Sequence, residues 1–296
     1  MKIILTGSLG HTGKPRTKEL VQKGHSVTVI SSKPEKQKDI EALGAAAAIG
    51  ELQDVEFLTA AFTGADAAYC MVVGSFNPDL DLMTSGEKLA KNYVQVIRQS
   101  GIKRVVYLSS IGAHTDQGNG ILAFHYHVEN ILKKLPPDVG ITFMRPVGFY
   151  DNLLGFINSI KTQGVIASNY GADDKKPWVS PMDIVAAVAE EITTPLEGRK
   201  VRYVASEEIT CNEIAGILGA AIGKPDLKWI IIPDEQLLNG MIAAGMNPRI
   251  AAGLVEMNAS SHSGKLYEDY YLNRPALGKV KVKDFAKEFA MVYNQR

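Results

Sequence analysis

Thr6-Gly7-Ser8-Leu9-Gly10-His11-Thr12-Gly13 reads T-G-x-x-G-x-x-G. It follows an apolar run, residues 2–6, and opens a helical pattern over about 12–23. At a strand-to-helix turn the three glycines have separate tasks. The first permits the tight turn, the second lets a ligand approach the backbone, and the third lets the helix pack close to the strand. The helix N-terminus, with its orphan N–H groups and positive dipole end, then faces an anion. A glycine triplet alone is weak. Between a strand and a helix it predicts a dinucleotide pyrophosphate site, with a plain packing turn as the lesser alternative.

Outward from this turn the chain keeps alternating. Residues 26–31, 67–73, 104–109, 141–145 and 201–205 read as strands, and alanine-rich 45–49 as a weak one. Helical patterns cover about 55–63, 84–100, 123–134 and 181–192. Near-continuous apolar strands alternating with helices predict an α/β fold, a doubly wound parallel sheet of Rossmann type. From about 206 the pattern turns helical (211–222, 234–244, 250–260, 283–295), with one strand at 228–233. We expect a dinucleotide-binding domain over 1–150 plus about 180–205. A smaller, mainly helical substrate domain takes about 151–179 and 206–296, forming one wall of a cleft at the sheet's C-terminal edge.

Strand ends suggest the ligand's identity. NAD-selective sites place a carboxylate at the tip of the second strand. Here stand Ser31, Ser32 and Lys33, two hydroxyls and a cation, suited to a 2′-phosphate. The expected cofactor is NADP(H) rather than NAD(H), against the alternative of a solvated charged loop. Asp54 is either near an adenine or the cap of the next helix. Val73 and Gly74 end the fourth strand, where backbone would pass the cofactor.

Composition excludes other classes. Lys plus Arg number 32, as do Asp plus Glu, so nothing points to nucleic acid or an acidic membrane. The apolar stretch after Met1 is too short for a signal peptide, and no run is long enough for a membrane span. Two cysteines, Cys70 and Cys211, lack metal or redox spacing and read as inert thiols of a cytoplasmic protein.

The chain resembles the short-chain dehydrogenase/reductase superfamily, and within it the atypical NmrA-like group, which includes NADPH-dependent quinone reductases and redox-sensing regulators. The resemblance rests on the glycine loop, Ser32-Lys33-Pro34-Glu35-Lys36, Tyr107-Leu108-Ser109-Ser110, Arg145-Pro146-Val147-Gly148-Phe149 and Trp178-Val179-Ser180-Pro181-Met182-Asp183-Ile184. It spans nearly the whole chain.

The superfamily's usual acid/base is Tyr-x-x-x-Lys on one helix, the two side chains sharing a face. None of the 11 tyrosines here has a lysine four residues on. By resemblance the lysine slot holds His125, the tyrosine slot Ile121, and Glu129 occupies the family's glutamate position one turn later. The resemblance makes Ser110 and His125 the catalytic candidates. Against them stand a strand-end cap for Ser110 and an ordinary helix-surface histidine for His125. It also implies that Thr6, Gly7, Leu9, Gly10, His11, Thr12, Gly13, Ser31, Ser32, Lys33, Val73, Gly74, Ser109, Pro146, Val147 and Gly148 meet the cofactor. Phe149, Tyr150 and Asn152 would line the substrate pocket, Phe149 being equally readable as core. No metal set is readable, since His125 and Glu129 lack a third ligand.

The expectation is a reductase passing hydride to a small electrophile such as a quinone, whose reduced form takes protons easily. The alternative is a non-catalytic NADP(H) sensor. A nucleotide-sugar epimerase is disfavoured because its chemistry leans on the missing tyrosine. The chain would act as a monomer or homodimer, with no membrane or direct nucleic-acid partner.

Overall fold

The computed structural model describes residues 1–72 and 81–295. Short β-branched and apolar runs form the strands. These are β1 Lys2–Leu5, β2 Ser26–Ser31, β3 Ala46–Ile49, β4 Ala67–Met71, β5 Arg104–Leu108, β6 Gly140–Pro146, β7 Gly148–Phe149, β8 Val165–Ser168, β9 Lys175–Val179, β10 Arg199–Val204, β11 Glu207–Thr210 and β12 Lys228–Ile231. Among the helices, α1 is Gly13–Gln22, α2 Gln37–Glu41, α3 Val55–Phe62, α4 Leu82–Ser100 and α5 Ala123–Leu132. They continue with α6 Ile157–Gln163, α7 Pro181–Thr193, α8 Cys211–Ala221, α9 Asp234–Ala243, α10 Pro248–His262, α11 Glu268–Leu272 and α12 Val282–Gln295.

The chain divides into two units. One comprises Met1–Ala113, Phe124–Arg145 and Ile184–Arg202; the other His114–Ala123, Pro146–Asp183 and Tyr203–Arg296. Residues 114–123, placed in the first domain by the sequence reading, go with the second unit.

The first unit carries a seven-stranded sheet in the order β10-β6-β5-β4-β1-β2-β3, and the pairs from β1 to β6 are parallel. The expected doubly wound α/β sheet is therefore present. β1 lies between β2 and β4, where the chain's direction of travel across the sheet reverses. Ligands of open α/β sheets bind outside the strand ends at this point, and the glycine loop follows β1. Alanine-rich β3 takes an edge, where one neighbour suffices and its residues stay half-buried or exposed.

Helix α4 shows how a local pattern becomes packing. Asp81 caps it by accepting from Thr84 N, and left-handed Gly101 (φ 76°) ends it. Its buried stripe, Gly86, Leu89, Ala90, Tyr93, Val96 and Ile97, recurs at helical spacing. Those side chains join a core with β4 and β5 residues such as Cys70, Val105 and Tyr107. The apolar face of this helix is thus core.

The second unit is less purely helical than expected. It holds a three-stranded sheet, β11-β9-β7, and a two-stranded one, β12-β8. These strands are two to five residues long and lack the long alternation that makes a strand legible. Its core gathers Tyr150, Leu153, Trp178, Cys211, Ile214, Leu218, Trp229, Phe285 and Phe289. No helix among the described residues is long and apolar enough to cross a membrane.

Candidate functional site

The site is built at the end of β1. Thr6 is fully buried, and its Oγ1 accepts from Met71 N at 3.0 Å. The Tyr93 hydroxyl donates to Met71 O at 2.8 Å. These bonds fix the ends of β1 and β4 against each other. Gly7 then turns the chain at φ 91°, and a Cβ there would lie 2.3 Å from Met71 Sδ. Ser8 also adopts a left-handed conformation (φ 52°) and is pinned to β2: its N donates to Ile30 O, its Oγ to Ser31 Oγ at 2.9 Å.

The last two glycines differ physically. A Cβ on Gly13 would sit 2.2 Å from Ser8 O, so the protein's own packing demands glycine. A Cβ on Gly10 would meet only Gly7 O, at an ordinary 3.7 Å. Gly10 is exposed with no close neighbour to forbid a side chain. Its bareness serves whatever approaches from outside.

Helix α1 starts here without a conventional cap. The N-cap is Thr12, whose side chain makes no capping bond, and the first turn has no acidic residue. Lys14 and Arg16 stand there instead, the wrong sign for the helix dipole and the right one for a bound anion. Arg16 is 1% exposed. Its Nη2 donates to Thr6 O at 3.3 Å and its Nη1 to Thr12 Oγ1 at 3.5 Å. Sequence reasoning passed over Arg16; an arginine in the buried stripe of this helix was the available signal.

At the tip of β2, Ser31 is buried and its Oγ accepts from both Ser8 Oγ and Lys33 N. Ser32 and Lys33 are exposed. Asp54 is the N-cap of α3, accepting from Phe57 N at 3.0 Å, which decides between its two readings. Leu9 and Thr12 are half-buried, and His11 is exposed. Val73 and Gly74 lie outside the described residues.

A second cluster forms behind the end of β5. Glu129 is fully buried and takes three charge-assisted bonds: from Ser109 Oγ (2.6 Å), Arg145 Nε (2.9 Å) and Arg145 Nη2 (2.7 Å). The Ser109 hydroxyl therefore points into this network, and its N–H donates to Met144 O at 2.7 Å. Ser110 is half-buried, and its carbonyl accepts from Ala113 N.

His125 is no ordinary surface histidine. Its ring stacks on Phe124 at 3.9 Å between centroids, and its Nδ1 is buried without a partner. Burial, with Arg145 nearby, pushes its pKa down to about 3. The imidazole is neutral at physiological pH and is no source of protons there.

The remaining candidates belong to the second unit. Pro146 and Val147 are buried, Gly148 and Phe149 half-buried in β7, and Asn152 exposed. Tyr150 is part of the second unit's core. It is wholly buried, its ring stacks on Phe285, and its hydroxyl donates to Glu207 and Val280 O. Loop residues 114–119 and the segment 260–268 enclose a cavity of about 460 Å³ lined by His114, Gln117, Asn119, Lys265 and Glu268. No sequence motif announced it. No three His, Cys, Asp or Glu side chains among the described residues are placed to hold a metal.

A dinucleotide fits the glycine loop on three counts: the open backbone at Gly10, the uncapped basic start of α1, and the absence of a carboxylate among Ser31, Ser32 and Lys33. Comparison with known proteins agrees. An NAD(P)H azoreductase of Xenophilus azovorans is 25% identical over 258 residues, 87% of this chain and 86% of that protein. The fold is shared with a solved NADPH-dependent quinone oxidoreductase of Escherichia coli in complex with NADPH. There the TM-score is 0.81 at 19% identity, covering 97% of this chain and 99% of that one. It is shared too with a Citrobacter sp. triphenylmethane reductase, TM-score 0.78 at 20% identity, covering 98% and 100%. Residues 7–195, well over half of the chain and the stretch that opens with the glycine loop, match the NAD(P)H-binding family model, and to that family the chain belongs.

Proposed function

We propose that this protein is an NADPH-dependent reductase of small conjugated electrophiles, with quinones and azo dyes as the substrate classes to try first. The observation that carries the reading is the glycine loop at the sheet's reversal point, open at Gly10 and joined by Ser8–Ser31 to a strand tip bearing Lys33 and no carboxylate. The names of the azoreductase, quinone oxidoreductase and triphenylmethane reductase support the substrate class.

A bound reduced nicotinamide supplies the hydride. Gly7, Leu9, Gly10, His11 and Thr12 would hold the pyrophosphate by backbone N–H groups and the α1 dipole, while Gly13, whose own N–H donates to Gly10 O, lets the helix start close beneath it. Ser32 and Lys33 hold the 2′-phosphate. The backbone of Ser109 and of Pro146 to Gly148 orients the nicotinamide, with Phe149 and Asn152 toward substrate. Ser110 and neutral His125 act as hydrogen-bond donors that position the acceptor or the ribose. Water supplies the proton, because His125 carries none to give. A reaction whose product is a stabilised phenolate needs no tyrosine acid, which suits a chain without Tyr-x-x-x-Lys. We place the protein in the cytoplasm.

A second reading, a non-catalytic NADP(H) sensor, is favoured by the neutral His125 and the missing Tyr/Lys pair. One experiment separates them. Purified protein is titrated with NADPH and NADH, then given quinones and azo dyes while reduced-nicotinamide absorbance is followed. Acceptor-dependent NADPH consumption, weakened in His125→Ala, supports the reductase. Tight NADPH binding with no turnover across the panel supports the sensor.

A further inference from the structure

Arg16 is a cation without a carboxylate partner among the described residues. Its side chain lies under the glycine loop, 1% exposed, with the guanidinium 3.6 Å above the centre of the Tyr69 ring. It forms no ion pair with any carboxylate among the described residues; its neighbours are the Tyr69 ring, Thr6 O and Thr12 Oγ1. Nε is buried and donates to nothing. Burial alone pushes such a group down from its usual value, and it does so here. A buried unpaired charge is among the more destabilising things a fold can contain. Guanidinium groups inside proteins are otherwise matched by carboxylates, as Arg145 is by Glu129.

Placement gives the charge a purpose. Thr6 and Thr12 are the two ends of the glycine loop, and the guanidinium fork holds both. Its charge therefore sits beneath the one stretch of backbone shaped to receive phosphates. We propose that Arg16 is the built-in counter-charge of the dinucleotide pyrophosphate, acting through the loop it clamps, and that the ligand's phosphates complete an ion pair the free protein leaves open. This rests on the reading of the loop as a dinucleotide site and assigns the affinity to a residue outside the glycine motif. Arg16 is a positioning residue: it touches the loop and acts on the ligand by field and by loop geometry. At the intermediate effective dielectric of such sites, one unit charge a few ångströms from a pyrophosphate is worth about ten- to a hundredfold in affinity.

The test compares wild type with Arg16→Leu, Arg16→Gln and Arg16→Lys. NADPH and NADH affinities come from fluorescence titration at two salt concentrations, and thermal midpoints are measured for free protein with and without inorganic pyrophosphate. The proposal expects R16L and R16Q, as free proteins, to melt no lower than wild type, since each removes an unpaired buried charge. They should bind NADPH about ten- to a hundredfold more weakly, with a shallower salt dependence. Pyrophosphate should raise the midpoint of wild type and not of R16L. R16K, which keeps the charge and loses the fork, should bind within about fivefold of wild type. Should neither neutral variant fold, R16K decides, and a loss beyond tenfold there overturns the proposal. Neutral variants that bind NADPH within twofold of wild type also overturn it, while leaving the dinucleotide reading intact. Failure of wild type to bind either dinucleotide would overturn both.

Discussion

The Ser8 hydroxyl donates to the Ser31 hydroxyl across 2.9 Å and so ties the glycine loop to the end of β2. Ser8 holds a left-handed backbone conformation that a serine adopts at a cost of about 1–3 kcal/mol. The bond to Ser31, and that from Ser8 N to Ile30 O, offset that strain. The loop proposed to face pyrophosphate and the strand tip proposed to face the adenosine ribose are consequently one mechanical piece.

That link makes selectivity a question of the residues just past it. Lys33→Glu puts a carboxylate where the 2′-phosphate is expected. We expect NADPH affinity to fall at least tenfold while NADH affinity holds or improves, read by paired fluorescence titrations. Equal losses for both cofactors would mean that the tip does not discriminate.

The last two glycines of the loop should answer differently to alanine. Gly13→Ala drives a Cβ into Ser8 O. It should cost at least 2 kcal/mol of stability, of order with other overpacked sites, and abolish cofactor binding together. Gly10→Ala meets no close neighbour, so its urea midpoint should match wild type while NADPH affinity falls at least tenfold. Unchanged affinity in Gly10→Ala would remove the ligand from that face.

Glu129 is the hub of its cluster. Glu129→Ala strands the Arg145 guanidinium in the interior. A broken buried pair of this kind costs about 3–5 kcal/mol. Urea unfolding should show a loss of this size, and Ser109→Ala a smaller one of about 1–2 kcal/mol.

His125 gives the protein an acid sensitivity. Its pKa is near 3 when folded and about 6.5 when unfolded. Between those values the unfolded chain binds the extra proton, so stability falls as pH drops from 6.5 toward 3. The full effect is on the order of 3–5 kcal/mol at the acid end. His125→Phe should flatten that decline in denaturant midpoints between pH 6.5 and 4 while changing little at pH 8. A parallel decline in both proteins would show that other groups set it.

The glycine loop and the main sheet were readable because each is a local pattern: a turn with fixed glycine spacing, or an apolar run of strand length. Asp54 was ambiguous until its hydrogen-bond partner was known, because a residue beside an adenine and a helix cap occupy the same place in the sequence. Tyr150 was misplaced because the stretch after Phe149 carries no periodicity to show that its ring turns into a core. β7, β8, β9 and β11 escaped because two to five residues cannot display an alternation. Arg16 showed in the sequence only as an arginine in a buried stripe, since its oddity is the absence of a carboxylate beside it among the described residues.

Cys70 and Cys211 are the chain's two thiols, and both are buried. Burial pushes Cys70 far above the normal thiol range and Cys211 up to about 12. Since the thiolate is the nucleophile, neither sulfur is prepared to add to an electron-poor ring. For the proposed reductase, whose acceptors would include Michael acceptors, both of the chain's thiols are thus poorly placed for alkylation.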